Sequence, residues 1–237
     1  MNICIIGYGK MGNEIEKIAL KRNHNIPLII DISNQADFDL LNKKNIDVAI
    51  EFSTPASAEK NILKCFEYNI PVVSGTTGWN DQLKVVIELC KTQNKSFFYA
   101  SNFSIGVNIF FHINSYVSKL MQNFPDYKIN IHEIHHIHKK DAPSGTAITL
   151  ANEIINNRED YKDWTNKQES PEKIFISSER TGEVPGTHYV NYISDGDKIQ
   201  LMHEAKSRTG FATGAVLAAE FLKNKQGFYT MKDLLKF

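Results

Sequence analysis

The chain opens on an apolar run, Asn2-Ile-Cys-Ile-Ile6, that leads into Gly7-Tyr-Gly-Lys-Met-Gly12. No other feature restricts the fold as tightly. A short unbroken apolar run has the form of a strand buried on both faces, as in a parallel sheet. Residues 10–22 then take helical spacing, with Met11, Ile15, Ile18 and Ala19 near one face. Strand, glycine turn and helix in this order are the setting in which Gly7, Gly9 and Gly12 carry meaning. They allow a tight turn, close approach of backbone to a pyrophosphate, and close helix–strand packing. Asp31 closes the next strand-like run, 26–31, where a carboxylate accepts hydrogen bonds from ribose hydroxyls. The context predicts a dinucleotide site; the plainer reading is a glycine-rich turn in an ordinary α/β unit.

The alternation continues. Residues 48–52, 71–74 and 97–100 read as strands, and 55–67 and 80–93 as helices. This predicts an α/β fold, a Rossmann-type doubly wound parallel sheet over 1–103. Phe52-Ser-Thr-Pro55 and Gly75-Thr-Thr-Gly78 fall at strand C-termini, the edge where such sheets bind ligands. Their small residues let a ribose or nicotinamide approach backbone, although either motif alone is no more than a turn. Asp31 repels a 2′-phosphate and so favours NADH, while Lys10 can offset that repulsion and keeps NADPH open.

The pattern then changes. Residues 105–121 read as a long helix and 127–135 alternate like a strand. Residues 158–171 are polar and charged, as in an exposed loop. Residues 173–178, 187–193 and 198–204 look like successive strands, which predicts a second, α+β domain with an open mixed sheet. Residues 208–222 are helical and rich in Ala.

Glu133-Ile-His-His-Ile-His-Lys-Lys-Asp-Ala-Pro-Ser-Gly-Thr146 carries the chemistry. His135, His136, His138, Lys139 and Lys140 stand directly before a helix-like run from Ala147. A helix N-terminus has unpaired N–H groups and positive partial charge, so it binds anions. His titrates near neutral pH, and Lys can donate a proton or hold a carboxylate. On an extended segment His135 and Lys139 would share one face, with Glu133 as an orienter. Ser144 and Thr146 offer hydroxyls, and Gly145 keeps a side chain out of a ligand's path. If the strand persisted, His132, His136 and His138 would share a face and invite a zinc reading, but acidic neighbours are few. An acid–base and anion-binding site without a metal is the expectation.

Composition narrows the partners. With 27 basic and 27 acidic residues the formal net charge is zero, so bulk charge points to neither nucleic acid nor a membrane surface. No apolar run reaches membrane-spanning length. The first residues read as a buried strand rather than a targeting signal. Cys4, Cys65 and Cys90 are scattered, which fits a reducing cytoplasm better than a disulfide scaffold.

The segment Glu133–Thr146 closely resembles the signature of the dihydrodipicolinate reductases of the diaminopimelate–lysine pathway. Gly7 to Gly12, Phe52 to Pro55, Gly75 to Gly78 and Ser101-Asn-Phe-Ser-Ile-Gly-Val-Asn108 look like that family's motifs in its order. So do Arg180-Thr-Gly-Glu-Val-Pro-Gly-Thr-His188 and His203-Glu-Ala-Lys-Ser-Arg-Thr-Gly-Phe-Ala-Thr-Gly-Ala215.

The resemblance implies NAD(P)H-dependent reduction of 4-hydroxy-tetrahydrodipicolinate, by way of dihydrodipicolinate, to tetrahydrodipicolinate. Hydride would add at C4 of the conjugated imine, and the ring nitrogen would take a proton from Lys139, helped by His135 as general acid/base. His136, Lys139, Ser144, Gly145 and Thr146 match positions that hold the substrate's carboxylates. Gly7, Gly9, Lys10, Met11, Gly12, Asp31, Phe52, Gly75, Thr77, Ser101 and Phe103 fall where the family contacts its dinucleotide, and Arg208 and Phe211 match residues near the cofactor. The implied domains are 1–103 with 208–237 for the dinucleotide and 104–207 for substrate and oligomerisation. The substrate domains would associate through their sheets into a homotetramer, and the dicarboxylate would bridge the domains on closure. A glycine turn one residue shorter than in longer members leaves cofactor choice open. The short stretch 32–47 leaves its own topology open.

Three rivals remain: a reductase of another small carboxylate, a non-catalytic NAD(H) sensor, and a zinc protein built on the histidines. Turnover of the cyclic imine dicarboxylate separates the first, and metal analysis the last. The sensor would have no need of Lys139 or Ser144-Gly-Thr146.

Overall fold

Six short strands, every pairing parallel, make the first sheet: β1 (Asn2–Ile6), β2 (Asn25–Ile30), β3 (Val48–Glu51), β4 (Val72–Ser74), β5 (Ser96–Tyr99) and β11 (Gly227–Tyr229), in the order β2-β1-β3-β4-β5-β11. The computed structural model describes residues 1–168 and 170–237. They divide into two units, Met1–Ile105 with Arg208–Phe237, and Gly106–Ser207.

The first sheet is buried on both faces, as its unbroken apolar strands require. Cys4, Ile6, Ala49 and Val72 pack in one core with Ala58, Ile62 and Phe66 of α2 (Pro55–Glu67) and Val86 of α3 (Asn80–Thr92). Ile3, Ile5, Val48 and Ile50 pack in another with Ile15 and Ala19 of α1 (Lys10–Lys21) and Ala212, Ala215 and Leu222 of α6 (Thr209–Leu222). Gly and Ala along α6 let that helix lie close: a Cβ on Gly214 would stand 1.8 Å from the carbonyl oxygen of Phe103. Asn23, Asn69, Asn94 and Asn224 each sit two residues past a helix end with φ between +52° and +64°. Asparagine is the residue besides glycine that most readily takes this left-handed stop.

Residues 32–47, open from sequence, hold a 3₁₀ helix, Gln35–Leu40, and no strand. The chain therefore passes from β2 at the sheet edge to β3 on the far side of β1.

In the second unit α4 (Ile105–Met121) leads to β6 (Lys128–His135). After α5 (Gly145–Asn157) come β7 (Asp163–Thr165), β8 (Lys173–Arg180), β9 (Gly186–Ile193) and β10 (Lys198–Ala205). The sheet order is β10-β9-β6-β8-β7, with β6 parallel to β8 and antiparallel to β9, so the sheet is mixed. One face packs Ile129, Ile131, Ile174, Ile176, Val190 and Tyr192 against Phe110 of α4 and Leu150 and Ile154 of α5. The opposite face carries Asn130, His132, Tyr189 and Met202, none of them fully buried.

The exposed loop expected over 158–171 is corrected in part. Arg158 is 2% exposed and Tyr161 4% exposed, and 163–165 is a strand. Arg158 can be buried because Asp160 takes its guanidinium through two bonds of 2.8 and 2.6 Å, and the carbonyl of Met121 takes a third.

Candidate active site

On the helix-covered face of the second sheet the apolar rows give way to polar ones towards the C-terminal end of β6. Register sets Glu133 opposite Ser178 of β8 and His188 of β9, and His188 opposite His203 of β10. His135 lies one step further, opposite Arg180. The period of two that buries Ile129 and Ile131 therefore also buries Glu133 and His135.

Glu133 is the hub. Its Oε1 accepts from the backbone N–H of Ser144 (2.9 Å), the Ser178 hydroxyl (2.7 Å) and Nη2 of Arg180 (3.1 Å). Its Oε2 lies 3.4 Å from Nδ1 of His135 and 3.7 Å from Nε2 of His188. Burial alone would push this carboxyl up, but the donors on Ser144, Ser178 and Arg180 outweigh it and hold it below the usual glutamate value. His135 is lowered, by burial first; Glu133 opposes that shift, and Lys139 and Arg180 add to it. Burial, with His135 beside it, takes His188 down to about 3. Both rings are thus neutral at rest, beside a fixed negative charge that favours an added proton.

Two glycines shape the site differently. Gly186 has φ +153°, and a Cβ there would stand 3.0 Å from Nε2 of His135, so its bareness makes room for that ring. A Cβ on Gly145 would meet nothing within 4 Å.

Lys139 is not on the strand. β6 ends at His135, and residues 136–139 form a turn closed by a hydrogen bond from the Lys139 N–H to the carbonyl of His136 (3.1 Å). The expected shared face of His135 and Lys139 is corrected accordingly. The turn is pinned by Thr181 N–H to the His135 carbonyl (2.8 Å) and Ile137 N–H to the Gly182 carbonyl (3.2 Å). Nζ of Lys139 lies 2.8 Å from each carboxylate oxygen of Asp141. Although burial pushes the Asp141 carboxyl up, Lys139 outweighs it and holds it low.

His136 is half-buried, with Nδ1 unpartnered among the described residues. His132 lies on the opposite face, against Ser177 and Tyr189, and His138 is exposed beside Glu183. The three do not converge.

α5 begins at Gly145 with Ser144 as its cap. The Ser144 hydroxyl accepts from the N–H of Ala147 (3.2 Å) and its carbonyl from that of Ile148 (3.0 Å). Helix geometry leaves the N–H groups of Gly145 and Thr146 without intrahelical acceptors, which suits an anion. The Ser144 hydroxyl also lies 3.2 Å from Nε2 of His188.

In the first unit Gly7, Asp31, Phe52, Gly75 and Ser101 all follow the C-terminal ends of strands of the parallel sheet. Gly7 has φ +88°, and a Cβ there would stand 2.2 Å from the carbonyl oxygen of Phe52; one on Gly12 would stand 2.3 Å from that of Gly7. A Cβ on Gly9 would meet nothing, and Gly9 caps α1 with no side-chain bond and no acidic residue in the first turn. That bare, positive helix end fits a pyrophosphate. Lys10, Asp31, Thr77, Ser101 and Arg208 are exposed, while Met11, Phe52 and Phe211 are half-buried. Phe103 is different: it is 2% exposed and packs on Phe52 and Phe98, a core residue rather than an open contact surface.

Sequence reasoning assigned no role to Ser178, Arg180, Gly186 or His188. Arg180, Gly186 and His188 stand in the 180–188 motif already singled out, but only the β6–β9 and β6–β8 registers bring them to Glu133.

Two family models match this chain, and the second runs past the second unit into the segment that returns to the first. The family model described as "Dihydrodipicolinate reductase, N-terminus" matches residues 1–103, and "Dihydrodipicolinate reductase, C-terminus" matches residues 106–235. The chain is 50% identical over 235 residues to the 4-hydroxy-tetrahydrodipicolinate reductase of Christiangramia forsetii, covering 99% of this chain and 98% of that one. It is 40% identical over 246 residues to the protein of the same name from Rickettsia bellii, covering 100% and 95%. Among solved structures it is similar to a dipicolinate-bound dihydrodipicolinate reductase from Paenisporosarcina sp. TG-14, with a TM-score of 0.80, 23% identity and 97% of each chain covered.

Proposed function

The chain belongs to the dihydrodipicolinate reductase family, and on that premise we infer that it is a nicotinamide-dependent 4-hydroxy-tetrahydrodipicolinate reductase in which His135 and Lys139 manage the proton. The observation that carries the assignment of residues is the Glu133 hub: one buried carboxylate joins His135, His188, Arg180 and the capped start of α5.

The unit containing β1 to β5 and α6 holds the dinucleotide, and the unit containing β6 to β10 holds the cyclic dicarboxylate. The glycine turn before α1 and the loops after β3 and β4 would hold a nicotinamide dinucleotide, which would supply hydride for C4 of the substrate's conjugated imine. Lys139 leaves Asp141 and gives its proton to the ring nitrogen. His135, with Glu133 behind Nδ1, steadies and resupplies that proton. The Ser144 hydroxyl, the N–H groups of Gly145 and Thr146, and His136 hold the carboxylates. A positioned general acid contributes roughly 10²–10⁴-fold in rate.

Both NADH and NADPH are admitted by this reading. Asp31 is exposed at the end of β2 and favours NADH, whereas Lys10 opens α1 and can meet a 2′-phosphate. A metal is not part of the reading. Glu133, His135 and His188 bring ligand atoms within 4.8 Å of one another, but the nearby positive charges of Arg180 and Lys139, which already disfavour a proton on His135, work against a cation there as well. The part-exposed face of the second sheet, with Tyr189, Met202 and the β10 edge, is where copies of the chain associate into a tetramer. Three buried free thiols suit the cytoplasm, and no described helix is long and apolar enough to cross a membrane.

The test couples this protein to dihydrodipicolinate synthase with pyruvate and aspartate semialdehyde, and follows nicotinamide absorbance with NADH and NADPH separately. Loss of absorbance that depends on this protein supports the reading. A folded protein that binds NADH but consumes neither cofactor overturns the substrate assignment.

A further inference from the structure

A second buried carboxyl group, Glu51, lies in the first unit and has no part in the chemistry above. It ends β3, is 0% exposed, and stands in a row of strand ends between Ile6 of β1 and Ser74 of β4. Every donor to it is a neutral group. Oε1 accepts from the Ser53 N–H (3.0 Å), the Ser53 hydroxyl and the Thr76 hydroxyl (2.9 Å), and Oε2 accepts from the Ser74 hydroxyl (2.6 Å). The Thr76 hydroxyl in turn accepts from the Ser53 N–H (2.9 Å). The network runs on through the Ser53 hydroxyl to Asn61 of α2 (3.1 Å), whose Oδ1 is buried and unpartnered among the described residues.

A polar group buried this deeply is costly unless its donors are all in place. A packed apolar side chain, such as Ile6 or Ile30 in the same row, would make a cheaper core. The carboxyl group gives something an apolar residue cannot. It ties the β3–α2 loop, through Ser53, to the β4–α3 loop, through Thr76. Those loops carry Phe52, Gly75 and Thr77. They also press together with no slack, since a Cβ on Gly75 would stand 2.2 Å from the ring of Phe52.

We propose that Glu51 is a positioning residue of the dinucleotide site: its carboxyl group clamps the β3–α2 and β4–α3 loops in one register, so that Phe52, Gly75 and Thr77 meet the cofactor already arranged. The proposal rests on the dinucleotide reading of the first unit and on nothing about the cyclic substrate.

The experiment measures NADH affinity by fluorescence titration of the whole protein, without cyclic substrate, for wild type, Glu51→Leu, Glu51→Gln and Thr76→Val. Thermal melts run alongside. Glu51→Leu removes every bond to the carboxyl group, leaving only the Ser53 N–H to Thr76 contact between the loops, and should weaken NADH binding roughly tenfold, the scale of one or two lost hydrogen bonds. Glu51→Gln keeps an oxygen for Ser53 and Thr76, and the Ser74 hydroxyl can rotate to accept from its amide. It should restore binding to within about threefold of wild type. A folded Glu51→Leu protein that binds NADH like wild type overturns the proposal, since a purely structural role moves the melt and not the affinity. If Glu51→Leu does not fold, Thr76→Val decides. It cuts one bond to Glu51 and one to Ser53, so weaker binding supports the clamp and unchanged binding overturns it. Wild-type protein that fails to bind NADH or NADPH overturns the cofactor reading itself, a result distinct from any difference among variants.

Discussion

Oε2 of Glu133 lies 3.4 Å from Nδ1 of His135, and neither side chain is more than 8% exposed. A buried carboxylate at that distance favours the protonated ring and limits the orientations it can take. Glu133 is the main group that opposes the burial-driven fall in the His135 pKa. Glu133→Gln should therefore lower kcat and move the limb of the kcat–pH profile that belongs to His135 to lower pH. A profile that keeps its wild-type limb would remove Glu133 from this role.

Lys139→Ala should reduce kcat by roughly 10²–10⁴-fold, the range of a lost general acid. Its NADH affinity should stay near wild type, because the lysine lies in the turn after β6 and touches Asp141. Steady-state rates with a separate NADH titration check both halves. Near-normal turnover would end the case for Lys139 as donor.

Gly186→Ala places a methyl group 3.0 Å from Nε2 of His135, on a backbone with φ +153°. Strain of this kind costs roughly 1–3 kcal/mol, and the imidazole must move. Turnover should fall with KM for the nicotinamide unchanged. Equal losses in both parameters would show a general collapse rather than a displaced ring.

Acid should destabilise the protein through its buried histidines. His188 has a folded pKa of about 3 against 6.5 for the free side chain, so between those values the unfolded chain binds more protons. The stability contributed by the neutral ring is complete above about pH 6.5 and is lost as pH falls towards 3. His135 and His203, also lowered by burial, act in the same direction. Melting curves from pH 7.5 to 4 should show a shallower loss of Tm in His188→Asn than in wild type. Parallel slopes would refute the assignment.

Asp31→Ala should raise kcat/KM for NADPH relative to NADH by several-fold, because the exposed carboxylate at the end of β2 no longer repels a 2′-phosphate. The shift should shrink at high salt, since exposed charges are screened. A ratio that does not move would leave Lys10 or the backbone turn in control.

Much of this was legible from local pattern. The unbroken apolar strands announced a sheet buried on both faces, and the resemblance carried by Glu133–Thr146 and the other motifs is borne out at the level of family and activity. What failed depended on where regular structure stops or on pairings distant in sequence. The shared face of His135 and Lys139 required the chain to stay extended past His135, and alternation looks the same whether or not it turns there. Arg158 was read as solvated because a charged residue is usually outside, and a partner two residues away that neutralises it leaves no periodic trace. His188 lies far along the chain from Glu133, and register between strands is not written in either strand alone.

The return of α6 and β11 to the first unit has a consequence for how the protein is made. Residues 106–207 are continuous and can fold once they have left the ribosome. The first unit must wait for residues 208–237. Until then β5 has a free edge where Gly227–Tyr229 will pair, and Ile5, Ile50 and Phe98 lack the cover of Ala215, Ala219 and Leu222. Such an unfinished sheet is the sort of surface on which nascent chains aggregate. The half that is translated earlier is thus completed later, and a ribosome stalled near residue 207 would release a finished second unit joined to an open, sticky first one.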